Sequence, residues 1–118
     1  MAQAMLVVGA GDATGGAIAR RFAREGLVAC VARRNGDKLA PLVEAIRAEG
    51  GKARAFGCDA RQEDQVAAMV DTIEREIGTL EAVVFNVGAN VRFPILETTA
   101  RVYRKVWEMA AYAGFLTG

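Results

Sequence analysis

The sequence contains no histidine. That excludes histidine-ligated metal sites and nucleophilic catalysis by a Ser-His or Cys-His couple within the chain, and no metal site is expected. Cysteine is scarce: Cys30 and Cys58 are the only two, each in an apolar stretch. Reduced, buried thiols are the expectation, not a disulfide framework. An excess of charge of one sign is also missing, because 15 Lys and Arg stand against 14 Asp and Glu, interleaved, for a net charge of +1. Nothing in that balance gives a footprint for nucleic acid or an anionic membrane. The longest apolar runs are far too short to span a bilayer. The first residues lack the basic start, long apolar stretch and cleavage site of a signal peptide. A cytoplasmic protein that binds neither nucleic acid nor membrane is therefore expected. At 118 residues, with 53% apolar residues, the chain suits one domain with its own core.

What is present alternates between strand and helix. Met5 to Val8 is a continuous apolar run, as in a strand buried on both faces. Gly15 to Glu25 reads as a helix stopped by Gly26, and Leu27 to Ala32 as a second strand. Asp37 is expected to cap a helix with Pro41 in its first turn and Leu39, Leu42, Val43 and Ile46 on its inner face. Gly50-Gly51 ends it, and Ala53 to Cys58 is a third strand. Val66, Met69, Val70, Ile73 and Ile77 mark a third helix that stops at Gly78, and Ala82 to Asn86 is a fourth strand. Thr98 or Thr99 caps a last helix that runs to the end. This order predicts an α/β fold: a Rossmann-like, doubly wound parallel sheet of about four strands alternating with helices. The sheet is expected to be incomplete, with the fourth strand as an open edge awaiting a fifth. On the last helix, Val102, Val106, Ala110 and Ala113 form one apolar stripe, and Tyr103, Trp107, Ala111 and Phe115 form another. One side would face the sheet; the other would face a second subunit or a further part of the same protein, unless the helix is simply buried deep in the core.

Glycine is concentrated where the first strand hands over to the first helix, in Gly9-Ala10-Gly11-Asp12-Ala13-Thr14-Gly15. Glycine at a strand end permits a tight turn with positive φ. Small residues at Gly11, Ala13 and Gly15 let an anion approach the backbone, and the helix start offers unpaired N–H groups and the positive end of its dipole. A pyrophosphate fits there without a lysine. The stretch matches GxGxxG imperfectly but matches GxxxAxG through Gly9, Ala13 and Gly15. Its place in a βαβ unit makes it a dinucleotide site. The second strand ends in Arg33-Arg34-Asn35, with no carboxylate before Asp37. Arginine there suits a 2′-phosphate, so NADP(H) is expected over NAD(H). A methyltransferase, which also opens with a glycine turn, would want an acid at that strand end.

The GxxxAxG turn resembles that of the short-chain dehydrogenase/reductase family, whose usual form is TGxxxGxG. Two further stretches agree, in order and in register along essentially the whole chain. In "GCDAR" (Gly57 to Arg61), Asp59 matches the family Asp that contacts adenine, with Ala60 beside it. In "FNVGA" (Phe85 to Ala89), Asn86 and Gly88 match the family's Asn-Asn-Ala-Gly, while Phe85 and Val87 replace its first Asn and its Ala. The resemblance implies that Gly9, Gly11, Asp12, Ala13, Thr14 and Gly15 hold a pyrophosphate. It implies that Arg33, Arg34 and Asn35 meet the 2′-phosphate, Asp59 and Ala60 the adenine, and Asn86, Val87, Gly88 and Ala89 the adenosine ribose.

The family's chemistry depends on a Ser, a Tyr-x-x-x-Lys pair and an Asn on the helix after the fourth strand, with the Tyr as general acid/base. Tyr103 is followed four positions later by Trp107, and Tyr112 by Leu116. Gly114 fits the Gly that follows the family Asn by three positions, which puts Ala111 at the Asn position. No catalytic residue is expected in this chain. The expectation is one NAD(P)-binding domain over residues 1–118, the first half of a longer oxidoreductase that moves hydride between a nicotinamide and a carbonyl or alcohol. Its partners would be cofactor, small-molecule substrate and a second copy met through the last helix. The alternative is a non-catalytic nucleotide-binding or dimerising module.

Overall fold

Apolar runs of both side-chain parities build the centre of the sheet. In β1 (Gln3–Val8) every residue after Gln3 is buried, and β2 (Val28–Arg33) has four consecutive buried positions. Because side chains alternate across a strand, Met5 and Val7 enter one core while Ala4, Leu6 and Val8 enter the other. In the computed structural model, which describes residues 2–11, 13–87 and 93–118, β3 (Ala53–Gly57) and β4 (Thr79–Phe85) complete a parallel sheet of order β3-β2-β1-β4. Four parallel strands alternating with helices make the Rossmann-like fold expected from the sequence.

Two helices cover one face. α1 (Thr14–Arg24) contributes Ala19 and Ala23, and α2 (Ala40–Ala48) contributes Leu42, Val43 and Ile46. On the other face α3 (Glu63–Thr72) lays down Val66 and Met69, and a π-helical turn (Ile73–Ile77) continues it and buries Ile73. The last helix joins that face near its end. It consists of α4 (Ala100–Trp107), a π-helical turn (Glu108–Tyr112) and α5 (Ala113–Thr117). Among the described residues no helix is long and apolar enough to cross a membrane.

Two local expectations need correction, and one choice left open by the sequence is resolved. Asp37 does not cap the second helix: the Asn35 side chain accepts from the Asp37 N–H at 3.2 Å and opens a 3-10 turn, Gly36–Leu39, that leads into α2. Thr99, one of the two candidates, caps α4 by accepting from the Val102 N–H at 3.2 Å. The last helix is not a deeply buried core helix. Tyr103, Trp107 and Phe115 are 69%, 48% and 78% exposed, and only Ala113 is buried. Ala110 is exposed as well. Met109, half-buried, takes the place expected of Ala110; at ordinary helical spacing it falls on one face with Val102, Val106 and Ala113.

The two cores have different exposure at their edges, which gives a direct test. Leu6→Ala removes a fully buried side chain from the middle of β1 and should cost about 2–5 kcal/mol in urea unfolding. Val83→Ala on β4, at a position 43% exposed, should cost less than about 1 kcal/mol. Equal costs would contradict the packing described.

Candidate functional site

The chain runs from β1 to β2 and β3 on one side, then returns to place β4 on the other side of β1. The direction of winding reverses beside β1, and in an open parallel sheet ligands bind outside the carboxyl ends of the strands at such a point. A cleft of about 1070 Å³ lies there. It gathers residues far apart in sequence: Gly9, Gly11, Ala13, Thr14 and Gly15 after β1; Arg33, Arg34 and Asn35 at the end of β2; Asp59 and Ala60 after β3; Asn86 and Val87 after β4. Asp12, Gly88 and Ala89, the other three residues singled out in the sequence, lie outside the described residues.

The glycines of the turn do different work. Gly9 has φ +89°, a left-handed conformation that side chains oppose. Its N–H donates to the Ala32 carbonyl at 2.9 Å, and a Cβ on it would overlap the Asn86 carbonyl oxygen. A Cβ on Gly15 would come within 2.6 Å of the Gly9 carbonyl oxygen, and one on Gly16 would overlap that of Gly11. These positions are bare so that the chain can pack on itself. Gly11 differs: the nearest heavy atom to a Cβ there is Nη1 of Arg33, at 3.7 Å. Its open space belongs to the cleft. The helix behind it starts at Ala13 with no side-chain cap and no acid in its first turn. Among the described residues, the positive end of α1 has no acid in its first turn to compensate it.

Asn86 ties β4 to this turn. Its backbone N–H donates to the Val8 carbonyl at 2.8 Å, and its Nδ2 donates to the Gly9 carbonyl at 3.4 Å. Arg33 is half-buried and Arg34 exposed, and among the described residues neither forms an ion pair. Two cations therefore line the cleft, Arg33 beside Gly11 and Arg34 further along the same strand end.

Asp59 is the best-anchored polar group of the cleft. Oδ1 accepts from Nε of Arg61 at 3.0 Å and from the Arg61 backbone N–H at 3.1 Å; Oδ2 accepts from Nη2 at 2.9 Å. Its own N–H donates to Oε1 of Gln65 at 2.8 Å. The Arg61 side-chain hydrogen bonds are the main reason its carboxyl is held below the usual aspartate range, and burial opposes them. Burial pushes the Cys30 thiol up to about 11. It also raises Cys58, with the Asp59 charge adding to the effect. Both cysteines are free and buried, and as protonated thiols they are poor nucleophiles.

The sequence reading missed Arg61, Met109 and Ala113, all of which line the cleft. Arg61 follows Asp59 by two positions, a spacing that an Asx-type turn uses. Met109 and Ala113 come from the last helix, where Ala113 is buried as its apolar stripe implied and Met109 takes the place expected of Ala110. Ala111, at the position expected for the family Asn, is exposed and does not line the cleft.

The Asp59–Arg61 pair makes stability depend on pH. A carboxyl with a depressed folded-state pKa adds stability above the ordinary aspartate pKa, and loses it as pH falls through the lowered value. Arg61→Ala should thus melt below wild type at neutral pH. The gap should close on acidification through the aspartate range. A gap that stays constant across a pH series of thermal melts would show that the pair is not its source.

Comparison with known proteins agrees with this architecture. The family model described as short chain dehydrogenase matches residues 3–117. The short-chain reductase protein NovJ of Streptomyces niveus is 39% identical over 85 residues, which cover 72% of this chain and 32% of that protein. A short-chain dehydrogenase from Rhodopseudomonas palustris superposes with a TM-score of 0.93 at 54% identity, covering 98% of this chain and 54% of the other. A metagenomic short-chain oxidoreductase solved in complex with NADP superposes with a TM-score of 0.90 at 26% identity, covering 98% and 52%. The chain thus spans about a third of that curated relative (32%) and about half of each solved structure. With the whole described fold and nearly its full length accounted for, the chain belongs to the short-chain dehydrogenase family, whose members are nicotinamide-dependent oxidoreductases.

Proposed function

We propose that this chain binds NADP(H) and is the cofactor-binding portion of a short-chain oxidoreductase. When bound, the cofactor supplies a hydride for exchange with a carbonyl or alcohol. The observation that carries the reading is Arg33, whose Nη1 borders the open space at Gly11, at a strand end that carries no carboxylate. A guanidinium there suits a phosphate on the adenosine ribose, and an acid would suit a free hydroxyl. Arg34 would add a second cation. Gly11, Ala13, Thr14 and the uncapped start of α1 would receive the pyrophosphate. Asp59 and Ala60 would meet the adenine, and Asn86 and Val87 the ribose. The NADP complex of the metagenomic oxidoreductase supports the same choice.

Calorimetric titration with NADPH and NADH tests this. NADPH should bind at least about tenfold tighter, and Arg33→Ala should remove most of the difference, as loss of charge-assisted hydrogen bonds predicts. NADH binding as tightly as NADPH would overturn the NADP(H) assignment. The sequence carries no Tyr-x-x-x-Lys, so the chain alone should bind cofactor without turning substrate over.

One observation favours a second reading, a nucleotide-binding module that self-associates. Tyr103, Trp107 and Phe115 expose aromatic surface along the last helix, which suits a second copy. Sedimentation should then show a dimer that Phe115→Glu dissociates, with NADPH affinity intact.

A further inference from the structure

The geometry points to Arg61 as a positioning residue for base selection: it holds both oxygens of Asp59 so that the carboxylate offers a single acceptor direction, and so favours a nucleobase bearing an exocyclic amino group over one bearing a keto oxygen. This inference rests on the NADP(H) reading above and adds a residue and a selectivity to it.

The argument is one of counting. An ionised carboxylate accepts hydrogen bonds and donates none, with about four lone-pair sites on its two oxygens. Among the described residues Oδ1 takes two bonds, from Nε and the backbone N–H of Arg61, and Oδ2 takes one, from Nη2. What remains open is on Oδ2. Rotation of the carboxylate is blocked because a planar guanidinium grips both oxygens at once. The backbone is pinned separately, through the Asp59 N–H on Gln65. Asp59 and Arg61 both line the cleft, with side chains 18% and 22% exposed, so the pair is sheltered yet reachable. An acceptor fixed in this way pairs with an amino group and repels a keto oxygen. A site built for one hydrogen-bonding partner discriminates strongly against an analogue that cannot make the bond.

Lysine cannot replace the fork. An ammonium keeps the charge but binds one oxygen at a time, leaving the carboxylate free to turn. Base discrimination should therefore follow the guanidinium and not the charge.

The test is calorimetric titration with NADPH and with its reduced deamino analogue, in which hypoxanthine replaces adenine. Wild type should bind NADPH about tenfold or more tighter than the analogue, the range expected for a hydrogen bond to a charged group. Arg61→Met and Arg61→Lys should each bring the ratio below about threefold, chiefly by weakening NADPH. A purely structural role for Arg61 would weaken both ligands alike and leave the ratio unchanged, which overturns the inference. A wild-type ratio near one overturns it without any variant. Wild-type binding of NADPH together with an unchanged ratio leaves the cofactor reading standing, whereas binding of neither dinucleotide removes both.

Discussion

The carboxyl edge of the sheet depends on how closely the turn after β1 approaches the end of β4. Gly9 sits beneath the Asn86 carbonyl with no room for a side chain, and the Asn86 amide reaches back to the Gly9 carbonyl. The same turn is held from the other side by its bonds to the Ala32 carbonyl at the end of β2. Three strand ends therefore meet at one residue of positive φ. The start of α1 is set by that meeting, because Gly15 and Gly16 pack directly on the carbonyls of Gly9 and Gly11. Close approach of backbone to backbone, made possible by missing side chains, is what opens a cleft at this point and aims a helix end into it.

Electrostatics divides the cleft into two regions. Beside Gly11 the charge is positive and unpaired among the described residues: an uncapped helix start and Arg33. After β3 the charge is paired, with Asp59 and Arg61 locked together. The first region attracts an anion without discriminating among groups. The second offers a fixed acceptor and can discriminate. A dinucleotide phosphate, anionic in one part and patterned with hydrogen-bonding groups in another, matches that division.

The last helix carries a local irregularity beside the cleft. It holds a π turn at Glu108–Tyr112; Met109 and Ala113 line the cleft, and Ala110 and Ala111 are exposed. The same turn brings the rings of Trp107 and Tyr112 into a stack, 5.6 Å between centroids, at a spacing of five residues that a π turn, with its i→i+5 repeat, brings into line. The aromatic residues left outside, Tyr103 and Phe115, become surface.

The parallel sheet, its strand order of alternation and the glycine turn were legible in the sequence because each rests on local physics. Continuous apolar runs demand burial on both faces, helical spacing demands a covering helix, and glycines clustered between them demand a turn. Arg33 and Asp59 were legible as strand-end residues for the same reason. The tertiary structure alone decided three things. It separated Gly11, open to the cleft, from Gly9, Gly15 and Gly16, which are bare for packing, because only assembled strands show which missing Cβ would meet protein. It gave Asp59 a partner, since a spacing of two residues does not say that both carboxylate oxygens will be gripped. It chose Asn35 over Asp37 as the cap, because a 3-10 turn precedes α2, and Met109 over Ala110 as the inward residue, because both fit the helical spacing and only packing selects between them.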